Sequence, residues 1–196
     1  MQRDRIDWNH RYRREVFAPE PASIITTYAH QAPVGRALDV ACGNGRNACY
    51  LAGLGFTVDA VDIAEEGLRR FVCRPRGIQR ICADLDQFTV PRGRYSLIVN
   101  IRYLNRRLLP VLKAGLAPAG MLIFESYLKA SDSDAAGDQL AEHLLEADEM
   151  RQEYGALTIR YYSAHPSLQP EAPPMKASLV AIRPERPLQH NHWDVA

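Results

Sequence analysis

A glycine turn set between two apolar strands constrains this chain more than any other feature. Residues 36–41, ending in Leu38-Asp39-Val40-Ala41, read as a buried strand. Cys42-Gly43-Asn44-Gly45 then turns the chain sharply into a helix expected over 44–54, and Gly55 suits a left-handed cap at its end. A second strand, 56–62, follows at once and closes on Asp62. Strand, turn, helix and strand in this order form a βαβ unit, which requires a parallel sheet covered by helices on both faces.

The rest of the chain extends that pattern. Two helices are expected before the first strand, over 5–14 and 21–29, with Pro21 in a first turn and Trp8, Tyr12, Val16 and Phe17 sharing one face. A helix over 64–73 precedes a strand at 77–83, and an apolar strand at 95–100 precedes a helix over 105–116 that Pro110 interrupts. The turn Pro118-Ala119-Gly120 leads into a strand at 121–126. Beyond it, Ser131-Asp132-Ser133-Asp134 carries helix-start chemistry, and Leu140, Leu144, Ala147 and Met150 make a helical stripe. Two closing strands, 157–163 and 177–183, flank a loop holding Pro166, Pro170, Pro173 and Pro174. The expected fold is α/β: a single-domain, Rossmann-like, doubly wound sheet of about seven strands, mostly parallel with the last strand antiparallel. Residues 1–31 form a helical lead-in and lid candidate, 36–126 the cofactor-binding core, 131–183 the C-terminal helix and closing strands, and 184–196 a loose tail.

Charge and cysteine usage exclude several functions. A net charge of +1 and no interleaved basic–aromatic patch argue against nucleic acid as a partner. No apolar run reaches membrane-spanning length, and the charged start MQRDRIDWNHRYRREVF has no signal-peptide core, so a cytoplasmic protein with no membrane partner is expected. Cys42, Cys49, Cys73 and Cys82 form no metal-ligand spacing and read as buried free thiols; no metal is expected.

The strand ends carry the chemistry. Gly43 and Gly45 permit close backbone approach to a ligand, and Asp62 is placed to accept ribose hydroxyls. Gly43-Asn44-Gly45-Arg46-Asn47-Ala48 fits the G-x-G-x-x-A pattern of nicotinamide cofactors. Asp39, just before the turn, disfavours a pyrophosphate and suits a cationic sulfonium with an amino-acid tail. Ala83-Asp84-Leu85, at the end of the third strand, offers a carboxylate and backbone edge to adenine; Asp84 reads equally as a solvated or capping acid. Arg46 stands over the turn, able to hold a methionine carboxylate or an anionic acceptor. Arg102, Tyr103 and His165 are the candidates for catalysis, His165 reading also as a surface histidine. Glu125 and Tyr127 end the fifth strand.

The run Leu38-Asp39-Val40-Ala41-Cys42-Gly43-Asn44-Gly45 resembles the first motif of class I S-adenosylmethionine-dependent methyltransferases. Asp62 resembles that superfamily's ribose acid and Ala83-Asp84-Leu85 its adenine-amine motif. Trp8-Asn9-His10-Arg11-Tyr12 together with Cys42-Gly43-Asn44-Gly45-Arg46-Asn47 resembles the small bacterial enzymes grouped with the tellurite-resistance and thiopurine methyltransferases. The resemblance implies strand order 3-2-1-4-5-7-6 and S-adenosyl-L-methionine as cofactor, leaving S-adenosyl-L-homocysteine as product. It implies a cofactor site of Asp39, Ala41, Gly43, Gly45, Arg46, Asp62, Ile63, Ala83, Asp84, Leu85 and Asn100, with Trp8, Arg11 and Tyr12 folding over it. Asn100-Ile101-Arg102-Tyr103 departs from the Asn-Pro-Pro-aromatic run of enzymes that methylate amino groups on DNA, RNA or glutamine. The acceptor expected is therefore a small molecule, a soft thiol or chalcogen nucleophile being the readiest, handled by a monomer or homodimer. A nicotinamide-dependent oxidoreductase and a non-catalytic module that binds S-adenosylmethionine are the alternatives.

Overall fold

A computed structural model describes residues 2–73, 76–129, 143–164 and 176–185. One seven-stranded sheet, in the order β3-β2-β1-β4-β5-β7-β6, organises them. The strands are β1 Arg36–Val40, β2 Thr57–Asp62, β3 Ile78–Cys82, β4 Tyr95–Ile101, β5 Leu116–Tyr127, β6 Thr158–Ala164 and β7 Lys176–Ile182. The first five run parallel, and β7 lies antiparallel between β5 and β6. This is the expected sheet in the expected order.

The central strands are apolar because both of their faces are covered. Leu38, Val40, Ile98, Leu122 and Phe124 face a core completed by Leu112, Met150 and Tyr154. Ala37, Val58, Ala60, Leu97 and Val99 face the other core with Ile25 and Leu51. The helices supplying those layers are α1 Gln2–Arg14, α2 Ser23–Tyr28, α3 Arg46–Gly53, α4 Glu65–Arg69, α5 Leu109–Gly115 and α6 Glu149–Glu153.

Several elements differ from the sequence reading. Pro21 precedes α2 instead of starting it, since Ala22 is the N-cap and a 3-10 turn, Ala29–Gln31, ends the segment. Pro110 lies in the first turn of α5, where its missing N–H costs no helical bond, so it starts that helix and does not interrupt it. The stretch 105–108 is a turn. The 64–73 helix contracts to α4, because Val72 donates to the Asn44 carbonyl (3.0 Å), tying the chain down beside the glycine turn. Pro118-Ala119-Gly120 makes its turn inside β5: Leu116 pairs with Tyr95 and Met121 with Leu97, so the bend sits within one strand. Leu144 and Ala147 are not helical; Leu145 bridges to Leu128, and only α6 keeps the helical spacing. Val16 is 99% exposed and does not share the Trp8–Tyr12 face.

The cysteines correct a second expectation. Cys49 on α3 and Cys73 after α4 form a disulfide, their Cα atoms 6.0 Å apart across a sequence separation of 24. Cys42 is buried as expected, but Cys82, on the edge strand β3, is exposed. The Ser131–Asp134 segment, Leu140, His165, the four loop prolines and most of the tail lie outside the described residues.

Candidate functional site

The carboxyl ends of β1, β2 and β3 converge beneath α1. β1 passes directly into a left-handed step at Ala41 (φ 53°), then Gly43 (φ 57°) and Gly45 (φ 73°). The two glycines are required sterically. A Cβ on Gly43 would lie 2.2 Å from the Tyr12 hydroxyl, and one on Gly45 would lie 2.0 Å from the Phe71 ring. Tyr12 thus covers the turn from α1 and Phe71 wedges it from the loop after α4.

Asp62 ties the turn to the next strand. Its carboxylate accepts the Gly43 amide at 2.8 Å and the Ala64 amide at 2.7 Å. Burial raises its pKa, and the amides of Ala64, Gly43 and Ile63 hold that rise back. Ile63 follows it, half-buried. Ala83 donates to the Asp62 carbonyl (3.0 Å), so the β3 end lies beside the β2 end. Asp84 accepts the Asp86 amide at 3.1 Å through one oxygen, forming a capped turn, and Leu85 packs into the core. A cavity of about 330 Å³ lined by Gln2, Arg5, Asp84 and Gln87 lies between the start of α1 and this turn.

Asp39 is the anomaly. Its side chain sits in the covered face of β1, 1% exposed, and neither carboxylate oxygen is hydrogen-bonded to any of the described residues. Burial pushes its pKa up to about 7 and the Asp62 charge adds to it, while the neighbouring Ala48 amide and the Arg46 charge hold back only part of the rise. A buried carboxylate with no partner is costly unless a cation or donor arrives to meet it.

The other expected residues divide. Tyr12 is buried, its hydroxyl held protonated first by burial and then by the Asp62 charge. Trp8 is 39% exposed, and Arg11 stacks on its ring (4.6 Å) while pairing bidentately with Glu15, both bonds at 3.0 Å. Of this trio, Tyr12 alone meets the glycine turn. Asn9 and Arg13 dock α1 on α4 through the Glu66 amide (2.8 Å) and carboxylate (3.0 Å). Asn100, buried at the β4 end, donates to the Tyr103 carbonyl at 2.6 Å. Asn105 donates to the Tyr103 hydroxyl at 3.4 Å, and burial raises that hydroxyl's pKa. Arg46 is half-buried at the start of α3, and Arg102 is exposed after β4.

Two contributors escaped the sequence reading. Phe71 reads as one more residue of the helix expected over 64–73, and its contact with Gly45 joins distant parts of the chain. Asn47 accepts the Ala22 amide at 3.0 Å, anchoring the lead-in to α3; a buried-side Asn in a helix's first turn was the available signal. Among the described residues no cluster of metal-ligating side chains exists, and no described helix is long and apolar enough to cross a membrane.

A family profile described as methyltransferase domain matches residues 8–171. No curated protein matches the sequence. Among solved structures, TehB from Haemophilus influenzae is similar at TM-score 0.65 and 16% identity, covering 91% of this chain; the chain spans 66% of that protein's length. An S-adenosylmethionine-dependent methyltransferase from Mesorhizobium loti is similar at TM-score 0.63 and 20% identity, with 85% of this chain and 100% of that one covered. The cyclase SpnF is also similar, at TM-score 0.62 and 14% identity over 82% of this chain and 78% of its own. At such identities the likeness establishes the fold, and the cyclase marks how far chemistry varies on it.

Proposed function

The chain belongs to the methyltransferase-domain family, and from that premise we propose that it transfers a methyl group from S-adenosyl-L-methionine to a small-molecule acceptor. The observation that carries the donor assignment is Asp39, a buried carboxylate with no hydrogen-bond partner beside the glycine turn. It fits the ammonium and sulfonium charges of that cofactor and repels a pyrophosphate, which favours the sulfonium donor over the nicotinamide alternative.

The chain's own residues then take distinct tasks. Asp39 neutralises the cationic tail. Asp62 accepts the ribose hydroxyls while its two backbone bonds hold the turn. Asp84, with its second oxygen free of the capping bond, accepts the adenine amine between Ala83 and Leu85. Ile63 and Asn100 line the same crevice, and Tyr12 shuts its outer side against water. Bound S-adenosylmethionine supplies a methyl carbon made electrophilic by its positive sulfur. What remains for the protein is alignment of the acceptor and exclusion of solvent. Among the described residues at the acceptor edge, Glu125 is paired with Lys176 (3.3 Å) and Tyr103 is held protonated, so neither is a ready base. A soft nucleophile, anionic at neutral pH, is the acceptor that this arrangement serves without one.

Calorimetry with S-adenosylhomocysteine and with the nicotinamide dinucleotides tests the donor. Micromolar binding of the first alone is expected; binding of a dinucleotide alone overturns the assignment. Methyl transfer to thiols and selenite, with none to amines or phenols, is the expected outcome of an acceptor panel. Tight cofactor binding with no transfer to any member would leave a binding module instead.

A further inference from the structure

The donor assignment leaves two arginines at the carboxyl edge without a task. Strand order reverses between β1 and β4, where the ligand crevice of such a sheet opens. Val40 pairs with Asn100 there, so residues that follow the two strands rise side by side. Arg46 opens α3 directly after the glycine turn, half-buried, with Nη1 donating only to the Glu20 carbonyl at 3.3 Å. Arg102 follows β4 in the left-handed region, φ 60°, a conformation that a non-glycine residue keeps at a cost and that marks functional turns. Its amide donates to the Glu125 carbonyl at 2.7 Å, fixing where the side chain starts.

Neither guanidinium has a carboxylate partner among the described residues. The charges of Asp39 and Glu125 act on Arg46 without an ion pair, and Glu125 is engaged elsewhere, accepting Lys176 Nζ and Ser178 Oγ, each at 3.3 Å. The two arginines are close enough to feel each other: burial lowers the Arg46 pKa first, and the Arg102 charge lowers it further. Two like charges gathered at a crevice, one of them partly desolvated and neither ion-paired with an acid among the described residues, suit a bound oxyanion.

We propose that Arg46 and Arg102 together bind an oxyanion, a carboxylate or phosphate, carried by the methyl acceptor. This deepens the methyl-transfer reading and rests on it. It assigns Arg46 to the acceptor's anion in preference to the cofactor's own carboxylate: Arg102 lies on the β4 side, away from the Asp62 and Asp84 ends that take the nucleoside, and the titration below separates the two anions. The acceptor is thereby a small anionic molecule, gripped by its oxyanion so that its nucleophile faces the crevice.

Protein saturated with S-adenosylhomocysteine is titrated with benzoate, phenyl phosphate and the neutral isostere benzamide, followed by ligand-observed NMR. Millimolar binding of at least one anion, weakening with added salt, and none of benzamide, is expected; benzoate against phenyl phosphate distinguishes the carboxylate from the phosphate source. Arg102→Gly suits the left-handed backbone, so it folds, and should weaken anion binding at least tenfold while keeping the melting-temperature rise given by S-adenosylhomocysteine. Arg46→Gln should weaken it comparably. Equal binding of benzamide, full anion binding by Arg102→Gly, or displacement of S-adenosylhomocysteine by the anion overturns the proposal, the last because the arginines would then belong to the cofactor's own carboxylate. If S-adenosylhomocysteine does not bind at all, the donor reading falls by itself. The same titration on ligand-free protein then decides whether the arginine pair binds anions.

Discussion

The same sheet buries two aspartates one register step apart on adjacent strands, and the two are treated in opposite ways. On β2, Asp59 accepts Arg36 Nε and Nη2, both at 2.8 Å, and the Tyr95 hydroxyl at 3.0 Å, so its partners come from the strand starts. One strand away, on β1, Asp39 accepts no hydrogen bond from the described residues. Both side chains are almost wholly inaccessible. The first is a matched charge that joins β1, β2 and β4. The second is left without a hydrogen-bonded partner among the described residues, on the side where α3 and the glycine turn meet. Matching serves the fold, and its absence marks where a ligand completes the structure.

Arg36→Ala puts the comparison under its heaviest strain. It would leave the Asp59 carboxylate buried with only the Tyr95 hydroxyl, a loss of about 3 kcal/mol by analogy with broken buried pairs. Denaturant unfolding reads this directly, and S-adenosylhomocysteine affinity should stay unchanged. A loss below about 0.5 kcal/mol would remove the distinction between a structural and a functional acid, because surface pairs alone are worth that much.

Gly45→Ala should cost about 2 to 3 kcal/mol, combining left-handed strain with the Cβ that would meet the Phe71 ring. Phe71→Ala removes the clash but not the strain. The double variant Gly45→Ala/Phe71→Ala should therefore cost less than the sum of the two single changes, measured by chemical denaturation. Additive costs would show that Phe71 does not wedge the turn.

The carboxyl edge was legible in sequence wherever its logic is local. A turn that needs positive φ calls for glycine, so Gly43 and Gly45 announced themselves. A strand-end acid needs only its place in the βαβ unit, which made Asp39 and Asp62 visible. Ala41 shows the limit from the other side: it occupies a left-handed position (φ 53°) that an alanine does not announce. Contacts between distant segments left no such trace. Phe71 on Gly45, Cys49 with Cys73, and Asn47 on Ala22 each join residues whose proximity only the folded sheet creates. Asp59 belongs with them. It alternates into the interior like an apolar residue, and nothing local announces Arg36 and Tyr95 as its partners. Pro110 was misread for a related reason, since a proline's meaning depends on where the helix begins, and the long turn at 105–108 moved that start.

Asp39→Asn shifts stability in the opposite direction and gives the sharpest test of the contrast. Burial lifts the Asp39 pKa to about 7 from an ordinary value of 3.8. A carboxyl group raised in this way destabilises the folded state as pH climbs from about 4 to about 7, because the unfolded chain ionises first; the penalty then stays constant. Asp39→Asn should therefore match the parent in melting temperature near pH 4 and exceed it by a few degrees at pH 8, the reverse of Arg36→Ala. Binding runs the other way. The ionised carboxylate meets the cofactor's cationic tail, so the parent's S-adenosylhomocysteine affinity should rise with pH up to about 7, by as much as tenfold per unit, and level off above it. Asp39→Asn should bind at least tenfold more weakly at pH 8, with no rise through that range. Calorimetry at pH 6 and pH 8 in buffers of different ionisation enthalpy would also count the proton released when the parent binds. A variant both more stable and less able to bind is the signature of a charge kept for its ligand; a variant less stable at pH 8 would make Asp39 a second Asp59 and erase the contrast.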